Sequence, residues 1–202
     1  MDHTDVEIIE RVPAFQGYFR IDRYRLRHRL HAGGWSEPMS REVFERGHAV
    51  CVLPYDPRRD EVVLIEQFRV GAYAAGFAPW LIEIVAGIID PGETAVDVAH
   101  REMREEAGLV IETLEPICRY LVSPGGTTES VELFCGRVDA STAGGIFGLD
   151  QEHEDIRVMR VPATEALNWL AAGRIVNAAA VIALQWLALN REKIRLKWVN
   201  SK

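Results

Sequence analysis

The sequence predicts a mixed domain, an α+β fold or an α/β/α sandwich, with a smaller section of antiparallel strands in front of it. Three observations lead there. Most apolar segments are short, rich in β-branched residues and closed by turn residues, as strands are. Only the stretches 94–107, 164–172 and about 178–189 carry the spacing of helices. Residues 6 to 30 alternate, with Tyr18, Phe19, Ile21, Tyr24 and Leu26 interleaved among Arg20, Arg23, Arg25, Arg27 and Arg29, which reads as extended structure.

In chain order, the turn-like run 31–38 (His-Ala-Gly-Gly-Trp-Ser-Glu-Pro) ends the front section. We divide the chain there into an N-terminal β subdomain, residues 1–45, and a main domain, residues 46–202. Residues 48–53 and 61–66 are strands flanking a Pro- and Asp-rich turn, a hairpin. Residues 80–85 (Trp-Leu-Ile-Glu-Ile-Val) form another strand. Residues 117–122 and 131–138 are strands around the Gly-rich loop 123–128, and 156–161 is a further strand. In the last helix Val181, Leu184, Gln185, Trp186 and Leu189 read as core or dimer packing.

Composition excludes several classes. With 48% hydrophobic and 26% charged residues, a core of normal depth needs no disulfide or structural metal. Cys51, Cys118 and Cys135 lie in apolar surroundings without paired spacing, so they read as buried small hydrophobes in a reducing compartment. The acidic N-terminus lacks an apolar signal region, and no run reaches the roughly 20 apolar residues of a membrane span. A cytoplasmic location is expected, with no membrane partner. The net charge of −7 argues against a nucleic-acid partner. It also means that an anionic substrate handled by acidic residues would need divalent cations between them.

The informative segment runs from Gly87 to Leu109. Asp90-Pro91-Gly92 makes a tight turn. Thr94 caps the following helix, with Asp97 as its reciprocal partner, and Gly108 ends it in a left-handed conformation. Val96, Ala99, Met103 and Ala107 are expected as its buried stripe. Glu102, Glu105 and Glu106 crowd beside that stripe. Glu102 and Glu106 stand one turn apart, where like charges repel, and burial strengthens the repulsion. Such a cluster could be a solvated acidic face partnered by Arg101 and Arg104. Alternatively it is the oxygen-rich ligand set that Mg2+ or Mn2+ requires.

The spacing decides between them. It matches every fixed position of the pattern G-x5-E-x7-R-E-U-x-E-E-x-G-U, with U a bulky apolar residue: Gly87, Glu93, Arg101, Glu102, Met103, Glu105, Glu106, Gly108 and Leu109. This is the box of the Nudix hydrolases. The likeness runs from about Tyr18 to Trp186 and resembles the ADP-ribose pyrophosphatase branch of that family. It is carried by segments 41–48, 64–73, 79–87, 123–129 and 177–186, including Pro124, some 15 residues beyond the box.

The resemblance implies a Nudix fold with a mixed sheet and hydrolysis of ADP-ribose to AMP and ribose 5-phosphate. It implies two or three Mg2+ ions, with Mn2+ as a substitute, held by the Ala86 carbonyl, Glu102, Glu106 and Glu154. Glu105 would be a weaker ligand or a supporting group. Arg101 and Glu93 would orient the carboxylates. Glu152, in the acidic loop 148–155, would be the general base, with His153 solvated. Arg69 and the loop of Ser123, Pro124 and Gly125 would meet phosphate or ribose, and Glu129 the ribose hydroxyls. Tyr18 and Phe19 would help sandwich the adenine, with Arg41, Glu42 and Arg46 nearby and Ile88 also lining the substrate. A homodimer with swapped N-terminal strands is implied too, which makes the arginine run from Arg20 to Arg29 dimer and substrate surface. Alternatives within the family are GDP-mannose or another nucleoside diphosphate sugar as substrate, a sanitiser of oxidised nucleoside triphosphates, and a non-catalytic ligand sensor.

Overall fold

A computed structural model describes residues 2–199. They form two compact units. Among the described residues, the first takes in 2–48 together with 120–130, and the second takes in 49–119 and 131–199. The segment 120–130, assigned from sequence to the main domain, thus groups with the N-terminal strands.

In the first unit, β1 (Val6–Gln16), β2 (Arg20–His28) and β3 (Met39–Glu45) form an antiparallel sheet in that order. Segment 120–130 is stitched to β3: the Phe44 amide donates to the Gly126 carbonyl at 2.8 Å and Thr127 Oγ1 to the Phe44 carbonyl at 3.0 Å. Charges on the sheet meet across strands. Arg27 pairs with Glu7 at 2.6 Å, and Arg11 donates to Asp22 through Nε at 2.8 Å.

The second unit is built on a mixed sheet. Its strands are β4 (Ala49–Asp56), β5 (Glu61–Phe68), β6 (Trp80–Glu83), β7 (Val85–Ile88), β8 (Thr113–Leu121), β9 (Ser130–Arg137), β10 (Gly145–Phe147) and β11 (Ile156–Pro162). The order is β10-β11-β5-β4-β9-β8, with β4 and β9 parallel. The helices are α1 (Val70–Ala74), α2 (Ala95–Ala107), α3 (Ala163–Ala171) and α4 (Ala178–Val199). Strand alternation sends Val50, Val52, Val63 and Ile65 to one core cluster, shared with Val98, Ala99, Met103 and Ala107 of α2. Tyr55 points to the other face, where its ring lies 6.4 Å from Trp198 of α4. Helices therefore cover both faces, the α/β/α sandwich expected.

Four local expectations are corrected. The strand expected over 80–85 is two strands, because the chain changes partner at Ile84: β6 pairs with β5 and β7 with β4. On α2, Val96 is 46% exposed and Val98 takes its place in the core. The buried positions fall in i,i+4 rows, so Val98 shares its row with Glu102 and Glu106. Helix α4 runs on to Val199, since Ile194 and Trp198 are buried, whereas Leu189 faces outward. Cys118 is exposed, whereas Cys51 and Cys135 are buried. No helix among the described residues is long and apolar enough to cross a membrane.

Candidate active site

The local structure of α2 sets the site. Thr94 Oγ1 accepts from the Asp97 amide at 3.2 Å while the Asp97 carboxylate accepts from the Thr94 amide at 3.3 Å, the reciprocal cap expected. Gly108 ends the helix at φ 64°, a conformation only glycine adopts without strain. Between these caps Glu106 is buried to 3% exposure, and its Oε2 accepts from the Ala86 amide of β7 at 3.0 Å. Glu102 lies against the same strand. A Cβ at Gly87 would sit 2.1 Å from Glu102 Oε1, so a side chain there would displace this carboxylate.

These two carboxyls are electrostatically unusual. Burial pushes Glu102 up to about 7, against the pull of Arg101 and with the charges of Glu105 and Glu154 adding to it. Burial pushes Glu106 up to about 8, opposed by the Ala86 amide and reinforced by Glu102 and Glu154. Arg101 ties the rest of the cluster. Its Nη1 donates to Glu102 at 2.7 Å and Glu105 at 3.2 Å, and Nε and Nη2 reach Glu93 at 3.3 Å. Glu93 in turn accepts from the Asp90 amide at 3.2 Å, which closes the turn before the helix. Among the described residues no three His, Cys, Asp or Glu side chains already converge as a cation cage. The donor set nonetheless fits a hard divalent cation. It is all oxygen, and a cation's charge would relieve carboxylates that burial now penalises.

The charge of Glu154 acts on both Glu102 and Glu106. Glu154 Oε2 accepts from the Leu149 amide at 3.1 Å, which folds the loop back on itself. Glu152 ends a 3-10 turn, Asp150–Glu152, and is exposed, as is His153. Ile88 closes β7, paired with Ala49.

The charge of Arg69 also acts on Glu106. Burial alone would lower the arginine's pKa; the charge and hydrogen bonds of Glu83, with Glu106 and Glu154 behind them, outweigh that and raise it. Glu83 is a carboxylate that sequence reasoning did not single out. It is 3% exposed on β6 and accepts from Arg69, Gln67 and Asn177. The available signal was a lone charge inside the apolar run Trp80-Leu-Ile-Glu-Ile-Val85.

The remaining expected residues lie in the first unit. The Tyr18 and Phe19 rings pack edge to face at 4.7 Å, so no slot for a base opens between them; Tyr18, 89% exposed, offers an outer face instead. Phe19 packs on Phe44 at 5.0 Å, and the Arg46 guanidinium stands 5.8 Å from the Phe19 ring. Arg46 also reaches the buried Glu129 at 3.4 Å. Arg41 and Glu42 are exposed on β3. Ser123, Pro124 and Gly125 form an exposed turn in which the Ser123 carbonyl accepts from the Gly126 and Thr127 amides, both at 3.0 Å. Of the arginine run, Arg27 and Arg29 stack on Trp35 at 5.0 and 4.3 Å.

Comparison with known proteins gives the family. Residues 45–182 match the family model described as NUDIX domain. The chain is 53% identical over 195 residues to the ADP-ribose pyrophosphatase of Escherichia coli K12, covering 96% of this chain and 93% of that one. It is 42% identical over 200 residues to the ADP-ribose pyrophosphatase of Haemophilus influenzae, covering 98% and 92%. A GDP-mannose pyrophosphatase of Cronobacter sakazakii is 38% identical over 154 residues, covering 74% of this chain and 78% of its own. The crystal structure of an ADP compounds hydrolase superposes with a TM-score of 0.69 at 20% identity, covering 91% of this chain and 95% of its own, a likeness of fold. With its box intact and its carboxylates gathered against Gly87, the chain belongs to the Nudix family.

Proposed function

We propose that this protein hydrolyses the pyrophosphate of ADP-ribose, giving AMP and ribose 5-phosphate. The observation that carries the reading is the pair Glu102 and Glu106, the second of them buried, packed against β7 beside Gly87. The names of the relatives that cover nearly the whole chain support the substrate.

Glu102, Glu106, the Ala86 carbonyl and Glu154 would hold two or three Mg2+ ions, or Mn2+ in their place. Bound there, the ions supply charge neutralisation for the pyrophosphate and acidify a water. The chain's own residues do the rest. Glu152 takes the proton as the water oxygen bonds to phosphorus and the bond to the bridging oxygen breaks. One product keeps the water's oxygen, and the other leaves with the bridging oxygen. Arg69 binds phosphate oxygens and offsets their charge. Arg101 keeps Glu102 and Glu105 oriented, with Glu93 behind it. Glu105 assists as a weaker ligand or a supporting group.

Recognition of the nucleoside falls to the exposed face of Tyr18 with Phe19, and to Arg41, Glu42 and Arg46. Ser123, Pro124, Gly125 and Glu129 meet ribose or phosphate, and Ile88 adds an apolar contact. We further propose a homodimer with exchanged N-terminal strands; Val6, Ile8, Ile9 and Phe15, all exposed on β1, support it as apolar surface awaiting a partner. Sedimentation should give a dimer, and removal of residues 1–40 an inactive monomer; an active truncated monomer would refute the exchange. A cytoplasmic location is proposed from the sequence, whose three cysteines show no paired spacing.

The test compares Mg2+-dependent hydrolysis of ADP-ribose and GDP-mannose at equal concentration, with products identified by chromatography. Preference for ADP-ribose with release of AMP is expected. Preference for GDP-mannose, the second reading suggested by the Cronobacter relative, would overturn the substrate and leave the chemistry.

A further inference from the structure

The carboxylate of Glu83 sits where the chain would otherwise be apolar, beside buried Ile82, Ile84 and Val85. A buried charge is tolerated only when it is fully paired, and an apolar residue would commonly serve stability as well. Glu83 meets the first condition. Its Oε2 accepts from Arg69 Nε at 3.0 Å and Nη2 at 2.8 Å, and from Gln67 Nε2 at 3.3 Å. Its Oε1 accepts from Asn177 Nδ2 at 2.9 Å. Asn177 is itself fixed, because its Oδ1 accepts from the Ala180 amide in the first turn of α4, a helix seated in the core through Ala183, Leu187 and Ile194.

The Arg69 side chain is 42% exposed, although its partner is buried. Glu83 engages the Nε side of the guanidinium plane. The opposite fork, formed with Nη1, is the edge suited to a phosphate oxygen pair. Arg69 also lies within reach of the charges of Glu106 and Glu154, the carboxylates assigned to the cations.

Resting on the function proposed above, we infer that Glu83 is a positioning residue: with Gln67 and Asn177 it locks the Arg69 guanidinium in one orientation beside the carboxylate cluster, so that the arginine meets the pyrophosphate as charge develops on it. A loosely held arginine would bind substrate but reach the transition state in the correct pose far less often.

The test uses the full-length protein, with steady-state kinetics on ADP-ribose and Mg2+, Mn2+ titration and thermal melting for each variant. Glu83→Gln keeps the shape and removes the charge. It should lower kcat by about tenfold to a hundredfold with a much smaller change in KM. Mn2+ affinity should stay within about twofold, because no proposed ligand is altered. Asn177→Ser keeps a helix-capping oxygen but loses the amide donor, and should lower kcat by about threefold to tenfold. In an Arg69→Ala background both substitutions should lose their effect on kcat, since they act through the arginine. Wild-type kcat in Asn177→Ser, or effects that multiply with Arg69→Ala, would overturn the inference. So would losses of Mn2+ affinity and thermal midpoint that parallel the loss of activity, the signature of a merely structural role. If Glu83→Gln fails to fold, Asn177→Ser with and without Arg69→Ala decides. Absence of turnover in the wild type would overturn the proposed function itself, whereas normal wild-type turnover with unaffected variants overturns the positioning role alone.

Discussion

The N-terminal sheet and helix α2 both carry dense charge, and they dispose of it in opposite ways. On β1–β2 the charges alternate across strands and cancel at the surface, as in Arg27 with Glu7. Such pairs contribute about 0–1 kcal/mol each and are screened by salt. On α2 three glutamates share one helix face, and two of them are turned towards the core. Arg101 answers only part of that charge, and Glu102 and Glu106 are left holding protons well above the ordinary carboxylate range. A folding ledger alone would not retain this arrangement. The lesson is that paired surface charge belongs to the scaffold, whereas crowded, buried and under-compensated charge marks the chemistry.

The strongest way to break this contrast is Glu106→Gln. Turnover should fall by roughly a thousandfold or more, as expected when a metal ligand is lost. Yet the metal-free protein at pH 8 should melt no lower than wild type, because the substitution removes a buried charge. Retained turnover would mean the carboxylates are misassigned. Next in size is Gly87→Ala. Gly87 is not among the glycines with positive φ, so its backbone accepts alanine, but the added Cβ collides with Glu102. Displacing that carboxylate should lower turnover by about tenfold to a hundredfold with the fold intact. Unchanged turnover would show that Glu102 moves without consequence.

A third test sharpens the contrast through pH. The folded protein keeps the Glu102 and Glu106 protons to about 7 and 8, whereas the usual glutamate value is 4.5. Their contribution to stability is complete below about 4.5 and lost as pH rises through 7 and then 8. In EDTA the thermal midpoint should therefore decline across that window from these groups. Added Mg2+ should raise it more at pH 8.5 than at pH 6, because binding requires the deprotonated carboxylates. An increment independent of pH would contradict the assignment. Smallest is Arg27→Ala, whose pair is exposed on both sides. It should cost no more than about 1 kcal/mol in chemical denaturation. A larger cost would show that the sheet's charges are not simply scaffold.

Much of this was legible beforehand because it is local. The capping box of Thr94 and Asp97, the left-handed Gly108 and the spacing of the box depend on residues within one or two turns of each other. The hairpin of β4 and β5 was readable from turn residues for the same reason. The misreadings share one origin, which is partner choice. Nothing within residues 80–85 says that the chain leaves β5 for β4 at Ile84. Nothing within α2 says that Val98, and not Val96, faces the sheet. The end of α4 depends on what Ile194 and Trp198 bury against, and the grouping of 120–130 on hydrogen bonds to β3.

By itself, then, the sequence determined the family and the helix that bears the carboxylates, because these follow from spacing along one element. The tertiary structure decided which carboxylates are buried, that a side chain at residue 87 would displace Glu102, and that Asn177 holds Glu83, 94 positions away, where it pairs with Arg69. Burial and hydrogen bonding between distant segments depend on the packing of the whole sheet, and no local pattern encodes them.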